Sequence, residues 1–409
     1  GMVLAAAGQY MFIVFPREMS SAGSFVFFAS AIMFVSALLL KKKDYYKAEK
    51  SAGRTLEFAA VVLLFAVSFV LRIYAIDKIP LGVWFDEAQN GNEAIRMLKE
   101  NSLEVFIPRH TQMPAMFIWM AGLFFKIFGV DVFSIRFVSV LTGSLSVVAF
   151  FFLLRYIFGD FKLALAGAFL FAFSRWHITF SRVGFLGMQM LFVEILFFYF
   201  YLRAVKEKSY FCAVMAGLAG GISLYTYSAA NFLPMAAGLH LAAVFVKNPG
   251  KFMAEKLRPV LVMFFVAVVA AGPLLVYAVK NSDDVTRRMN DVGIVRDIER
   301  QNSLEPVFKN LYLYAHTFNY TGDYNGRHNL YKKPLLGVVA GILFAAGFFA
   351  AFAAKGGGFL LIWFLVMMLP GFLTITVEAP QAYRIIAVSY THLRAHETVL
   401  DLVCRLLLE

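Results

Sequence analysis

Residues 57–75 read EFAAVVLLFAVSFVLRIYA, and about a dozen residues beyond them the chain reads Val83-Trp84-Phe85-Asp86-Glu87. The first stretch is long and apolar enough to cross a bilayer. The second sets two adjacent carboxylates just past its end. Apolar runs of similar length recur to about residue 376, separated by basic or polar linkers. Of the 409 residues, 60% are hydrophobic and 17% aromatic, and the mean hydropathy is +0.71. A soluble domain of this length cannot bury so much apolar surface. The sequence therefore describes an all-α, polytopic transmembrane helix bundle.

The formal charge of +12 does not point to nucleic acid, because Lys and Arg collect at the ends of the apolar runs, as cytoplasmic loops require. The two cysteines, Cys212 and Cys404, have no metal-type spacing and support no disulfide. No cleavable signal peptide stands out.

Segment 2–15 is short for a span and ends at Pro16-Arg17. Because the chain opens at Gly1-Met2 inside an apolar run, its true start is expected to be missing. Segment 24–40 is a span followed by a basic linker, Lys41-Lys42-Lys43 with Lys47, Lys50 and Arg54, which marks the cytoplasmic side. Segment 57–75 then runs outward and delivers Asp86 and Glu87 to the far side. The linkers Arg203–Lys208 and Lys247–Arg258 are also basic and cytoplasmic. Counting from them, 132–154 enters, 163–178 exits, 184–202 enters, 211–229 exits, 231–246 enters and 259–279 exits. The apolar run Met113–Gly129 then cannot cross, and reads as an interfacial or re-entrant helix with Pro114 near its start and Lys126 near its end. The polar stretch from Asn281 to Lys333 lies outside. Segments 334–354 and 358–376 form a hairpin turned at Lys355 to Gly358. This gives about eleven spans, the first incomplete.

Three regions result: 1–56, N-terminal helices and the basic linker; 57–388, the membrane domain; and 389–409, a foreign tail. The tail, Ser389-Tyr390-Thr391-His392-Leu393-Arg394-Ala395-His396 onward, is polar where another span should begin and reads as translated adapter sequence. His392, His396 and Cys404 therefore carry no functional weight.

A span followed by an outside Asp86-Glu87, then a Pro-led apolar run ending in Phe128-Gly129, then Ser134-Ile135-Arg136-Phe137-Val138-Ser139, resembles the C-type glycosyltransferases. More narrowly it is similar to the branch of protein O-mannosyltransferases and aminoarabinose–lipid A transferases. Ser174-Arg175-Trp176-His177 with Ser181-Arg182, then Tyr225-Thr226-Tyr227, fit bacterial members. The likeness covers about 57–388. It implies transfer of a sugar from a polyprenyl-phosphate carrier to an acceptor hydroxyl of a protein, lipid or glycan. The transfer would occur on the extracytoplasmic side of the plasma membrane, with inversion at the anomeric carbon.

On this reading Asp86 is the general base, since direct displacement needs the acceptor oxygen deprotonated as it attacks. Glu87 orients Asp86, binds a cation or bonds the acceptor. The plain structural alternative makes both residues first-turn charges of a helix over 88–99, favourable near a helix N-terminus, and the two readings are compatible. The departing phosphate needs cationic donors, and a guanidinium fork suits it. Arg136, Arg182 and Arg384 lie at outer span ends, Arg136 matching the family pattern best, and Arg72 is near one. Snorkelling accounts equally for any one of them. Tyr225 and Tyr227, with Asp323, Asn325 and His328 in the turn Thr321–Asn329, are the candidate sugar or acceptor contacts. Interface anchoring is the alternative for the tyrosines and a surface turn for the rest. Glu194, inside a span, reads as a buried acid hydrogen-bonded to another helix. No metal ligand set of characteristic spacing is present, and a divalent cation on the Asp86–Glu87 pair stays open. Two rival readings are a transporter or flippase of lipid-linked sugar, which would not need the outside acid pair, and a glycan ligase of the same fold with a pyrophosphate donor.

Overall fold

The computed structural model describes residues 53–389, apart from 110–111 and 354–356. The expectations for the runs and basic linker before residue 53, for Lys355 in the hairpin turn and for the tail beyond Ser389 fall outside the described residues.

The chain is helical nearly throughout. In order the helices are α1 (Gly53–Ile73), α2 (Phe85–Glu100), α3 (Met116–Phe128), α4 (Val132–Phe158), α5 (Phe161–Ala172), α6 (Arg175–Ser181), α7 (Gly187–Glu207), α8 (Tyr210–Ser223), α9 (Leu233–Lys247), α10 (Leu257–Lys280), α11 (Ser282–Val292), α12 (Val295–Gln301), α13 (Glu305–Thr317), α14 (Val338–Ala353) and α15 (Gly357–Phe372). One departure from an all-α chain is a two-residue antiparallel pair, Phe106–Ile107 with Met113–Pro114. It draws the start of α3 back against the loop after α2.

Among the described residues five helical runs are long and apolar enough to cross a membrane: Thr55–Ile73, Val132–Phe158, Gly187–Glu207, Ser228–Lys247 and Pro249–Lys280. The protein is a multi-pass membrane protein. Three of the expected spans are shorter than predicted, because α8 has 14 residues and α14 and α15 have 16 each. The expected span 163–178 is not one helix but two, α5 and α6, bent by 58°. The break has a local cause. Ser174 caps α6, its hydroxyl accepting from His177 N, and the Ala172 carbonyl left open by the break accepts from Arg72 Nη2 at 3.0 Å. The same nitrogen meets His177 Nδ1 at 2.7 Å, and His177 Nε2 meets Ser146 Oγ at 2.9 Å. Arg72 is thus a structural strut across the bend. Helix α3, expected to be interfacial or re-entrant, has 13 residues and rises about 20 Å.

Helix α4 starts where the sequence stops it from starting earlier. Gly129 sits at φ +92°, and the Asp131 side chain accepts from Ser134 N at 2.7 Å, an N-cap. Helices α8 and α10 approach closely through small residues: a Cβ on Gly217 would lie 2.5 Å from the Met263 carbonyl oxygen, and one on Gly221 would meet Ala270 at the same distance. Such contacts let bundle helices pack in lipid, where apolar burial drives little association. At one end of the bundle Lys208 pairs with Glu255 at 2.9 Å, so the two basic linkers share that end. Glu57 at the foot of α1 pairs with Arg155 at the end of α4. Arg72, in the last turn of α1, Arg136, near the start of α4, Arg182, just past α6, and Asp86, in the first turn of α2, lie towards the opposite end.

Candidate functional site

At that opposite end the chain from Tyr74 to Trp84 is an irregular loop, and such a loop needs partners for its carbonyls. Two arginines supply them. Arg136, on the second turn of α4, is fully buried. Its Nε donates to Glu87 Oε1 at 2.8 Å and its Nη2 to Glu87 Oε2 at 3.0 Å. Its Nη1 donates to the carbonyls of Ile76 and Pro80, and Nη2 also to that of Gly82. All five of its N–H groups are therefore engaged. Arg182, just past α6, donates to the carbonyls of Leu71, Arg72, Tyr74 and Ile79. Gly82, at φ +73°, supplies the left-handed turn that delivers its carbonyl to Arg136.

Glu87 is also fully buried, and besides Arg136 it accepts from Gly184 N at 2.8 Å and Trp84 N at 3.4 Å. The Gly184 carbonyl in turn accepts from Asn90 Nδ2. A side chain at 184 would be tight: a Cβ there would lie 3.2 Å from Glu87 Oε1 and 3.1 Å from Ile135, so one of them would have to give by a few tenths of an ångström. The pair Glu87–Arg136 therefore clamps α2 to α4 and to the α6–α7 linker.

Asp86, one residue earlier on α2, turns the other way and is exposed. Two rings lie by it: Trp84, which packs on Phe185 at 5.4 Å between centroids, and Tyr383, which packs on Phe185 at 5.2 Å and Tyr227 at 4.8 Å. The Tyr383 hydroxyl accepts from Gly187 N at 3.0 Å. Burial first, then the neighbouring Tyr227 and the Asp86 charge, push this phenol well above its ordinary range, so it stays neutral, while the nearby Arg288 pulls the other way. The charges of Asp86 and Arg288 both act on Tyr383, in opposite directions. Arg288 lies on the polar helix α11, is half-buried and makes no hydrogen bond or ion pair among the described residues. Arg384 follows Tyr383 directly. One of its Nη groups is paired with Glu378, whereas its Nε is buried without a partner. Burial lowers the affinity of Arg384 for its proton, but Tyr227 and Glu378 outweigh it and hold the group above the ordinary guanidinium value.

Several expectations are corrected by this geometry. Arg136, expected to lead in binding phosphate, and Arg182 are both committed to loop carbonyls. Glu87, expected beside Asp86 in the chemistry, is a buried counterion. The adjacency of Asp86 and Glu87 hid this, because consecutive residues on a helix point about 100° apart. Tyr225 is buried, with its hydroxyl donating to the Ala270 carbonyl at 3.2 Å and accepting from Leu274 N at 3.3 Å. It bridges the 270–274 step of α10, immediately beside Pro273, whose missing N–H loosens the helix there. Asp323 is buried and engaged on both oxygens by Asn325 N, Ala382 N and His328. Asn325 is exposed, and its side chain accepts from Arg327 N within the turn. Of the expected site residues Asp86 is exposed and unpaired among the described residues, while Tyr227, Arg384 and His328 are buried beside Tyr383. Arg288 was missed, although Arg287 and Arg288 occur together in an outer polar helix. Arg287 pairs with Asp284 and leaves its neighbour for the site. Glu194 is buried as expected, accepting from Trp363 Nε1 on α15. Among the described residues no three His, Cys, Asp or Glu side chains gather as a metal site.

The fold is that of the C-type membrane glycosyltransferases. ArnT from Cupriavidus metallidurans, bound to undecaprenyl phosphate, matches with a TM-score of 0.57 at 16% identity, over 86% of this chain and 61% of that one. An Archaeoglobus fulgidus oligosaccharyltransferase tethered with an acceptor peptide matches at 0.55 and 15%, over 85% and 50%. The arabinosyltransferase EmbB of Mycobacterium smegmatis matches at 0.53 and 11%, over 94% and 34%. The chain thus spans about three-fifths or less of the length of these proteins. Residues 112–277 match the family model of dolichyl-phosphate-mannose-protein mannosyltransferase. No curated protein sequence matches the chain.

Two outcomes follow from the geometry. Glu87→Ala strands a buried guanidinium and is expected to cost about 3–5 kcal/mol of stability, read as a lower unfolding midpoint in detergent. Tyr225→Phe is expected to cost about 1–2 kcal/mol and to leave the KM for any sugar donor unchanged.

Proposed function

We propose that this chain is a glycosyltransferase that moves a sugar from a polyprenyl-phosphate carrier to an acceptor hydroxyl. It works on the extracytoplasmic side of the plasma membrane, with inversion, and residues 57–388 form its transferase domain. The observation that carries this reading is Asp86 itself: an exposed carboxylate with no hydrogen-bond or ion-pair partner among the described residues, in the first turn of a helix whose entry loop is held by the buried Glu87–Arg136 pair. Resemblance to a structure holding undecaprenyl phosphate supports the carrier.

The chemistry assigned to these residues is a single displacement. The acceptor oxygen attacks the anomeric carbon as Asp86 takes its proton. The bond from that carbon to the phosphate oxygen breaks, and the carrier leaves with one more negative charge. Arg384 Nε and Arg288 meet that charge. A guanidinium in a partly dry site stabilises it more than water-exposed lysine would, and does so without reorganising at the moment of reaction. Arg136 and Arg182 act at one remove, by fixing the loop that carries Asp86.

Asp86→Asn is expected to lower transfer from an undecaprenyl-phosphate sugar by about 10²–10⁴-fold with unfolding unchanged. Full activity in that variant removes Asp86 from the role. Arg384→Met is expected to raise the KM for the donor by about ten- to a hundredfold and to leave the KM for the acceptor in place. A change confined to the acceptor KM moves the phosphate elsewhere.

A further inference from the structure

The turn that begins at Asp323 closes on an acid–imidazole contact the displacement does not use. Asp323 is 2% exposed and His328 7%. Asp323 Oδ1 accepts from Asn325 N at 2.7 Å, Oδ2 accepts from Ala382 N at 2.7 Å, and Oδ2 also meets His328 Nδ1 at 2.9 Å. A carboxylate that already receives two backbone N–H groups acts as acceptor only, so the imidazole proton sits on Nδ1. Nε2 is then a bare lone pair. It has no hydrogen-bond partner among the described residues, and the residue as a whole keeps 7% of its surface exposed.

Three rings hold the imidazole in place: Phe180 at 5.6 Å, Tyr383 at 6.2 Å and Trp84 at 6.4 Å between centroids. Trp84 stands two residues before Asp86, whose charge acts on Tyr383. The Arg327 guanidinium lies over Trp84 at 5.7 Å, joining this turn to the loop of the acid from the solvent side. One aromatic wall therefore carries two hydrogen-bond acceptors of different strength. Apolar ring faces beside separated acceptors suit a ring that has C–H faces and several hydroxyls, which is the surface of a sugar.

We propose that His328 Nε2 accepts a hydrogen bond from a ring hydroxyl of a sugar lying against Trp84 and Tyr383, with Asp323 as the positioning residue that fixes the tautomer. This rests on the transferase reading for the presence of a sugar. It divides the turn into a contact, His328, and a support, Asp323, and predicts selection against sugars lacking that hydroxyl, because an acceptor covered by the bound sugar and left unpaired is unfavourable. The hydroxyl belongs either to the sugar on the carrier or to a glycan acceptor.

Two substitutions separate this role from a merely structural one. His328→Asn keeps a donor at the Nδ1 position towards Asp323 and has nothing at Nε2. His328→Gln reaches the Nε2 position with an acceptor and leaves Asp323 without its imidazole. Transfer from a panel of undecaprenyl-phosphate hexoses and pentoses is expected to fall about tenfold or more in kcat/KM for His328→Asn and only a few-fold for His328→Gln. The reverse order makes the histidine structural and overturns the proposal. In the full chain labelled with ¹⁵N-histidine and held in nanodiscs, the His328 Nε2 resonance is expected to be unprotonated. It should move on adding the carrier-linked sugars if the hydroxyl is the donor's, or on adding free oligosaccharides if it is the acceptor's. An Nε2 that is protonated, or that no sugar moves, also overturns it. Asp86→Asn, assayed alongside, tells the two readings apart: its inactivity beside an unaffected His328→Asn removes only the histidine, whereas its full activity removes the base.

Discussion

The buried contact between Glu87 and Arg136 is the constraint on which the rest of the site depends. Two charges withdrawn from water are unfavourable unless each finds its full set of partners. Here they do: the guanidinium takes two carboxylate oxygens and three backbone carbonyls, and the carboxylate takes the guanidinium and two backbone N–H groups. Those carbonyls and N–H groups come from an irregular loop and from the α6–α7 linker, segments without a ladder of their own. The ion pair therefore does for this loop what hydrogen bonding along the axis does for a helix. Because Glu87 is locked inward, its neighbour Asp86 is fixed outward, and the exposed acid inherits its position from the buried one.

The linker 182–187 ties this lock to the other parts of the site. Arg182 holds the end of α1, Gly184 holds α2 from both sides of its peptide, Phe185 packs between Trp84 and Tyr383, and Gly187 N bonds the Tyr383 hydroxyl. Six residues thus couple the acid to the segment bearing Arg384. The unbroken polar contacts at the bend of α5 and α6, through Arg72, His177 and Ser146, keep that linker at a fixed depth.

Much of this was legible in the sequence. The length and apolarity of the runs gave a membrane bundle. The basic linkers gave a parity in which α3 is not expected to cross, and the pairing of Lys208 with Glu255 joins those linkers at one end. The position of Asp86 past α1 was equally readable. The arginines were less so. An arginine at a span end is compatible with phosphate, with snorkelling or with loop carbonyls, and only the count of engaged N–H groups separates them. Arg136 looked like the best ligand because its place in the pattern is fixed, but a buried counterion fixes a position as firmly as a substrate does. Tyr225 misled for a similar reason: its value lies beside Pro273, nearly fifty residues away, which sequence order does not bring near it. The break at Ser174 was missed because the apolar pattern continues through it. Arg288 lay in a polar helix whose docking depends on backbone bonds from residues 292 and 294 to 373 and 375, a pairing no periodicity announces.

The turn after Asp323 is closed at its base by Lys332 N to the Asp323 carbonyl, and most of what lies between, Tyr324 to Arg327 with Leu330 and Tyr331, faces outward. The turn is moored at its base, at His328 between Phe180, Trp84 and Tyr383, and by Arg327 over Trp84. The outward positions between these anchors are where side chains can differ without disturbing the clasp beneath them, so the arc's outer face and its grip on the bundle can vary separately.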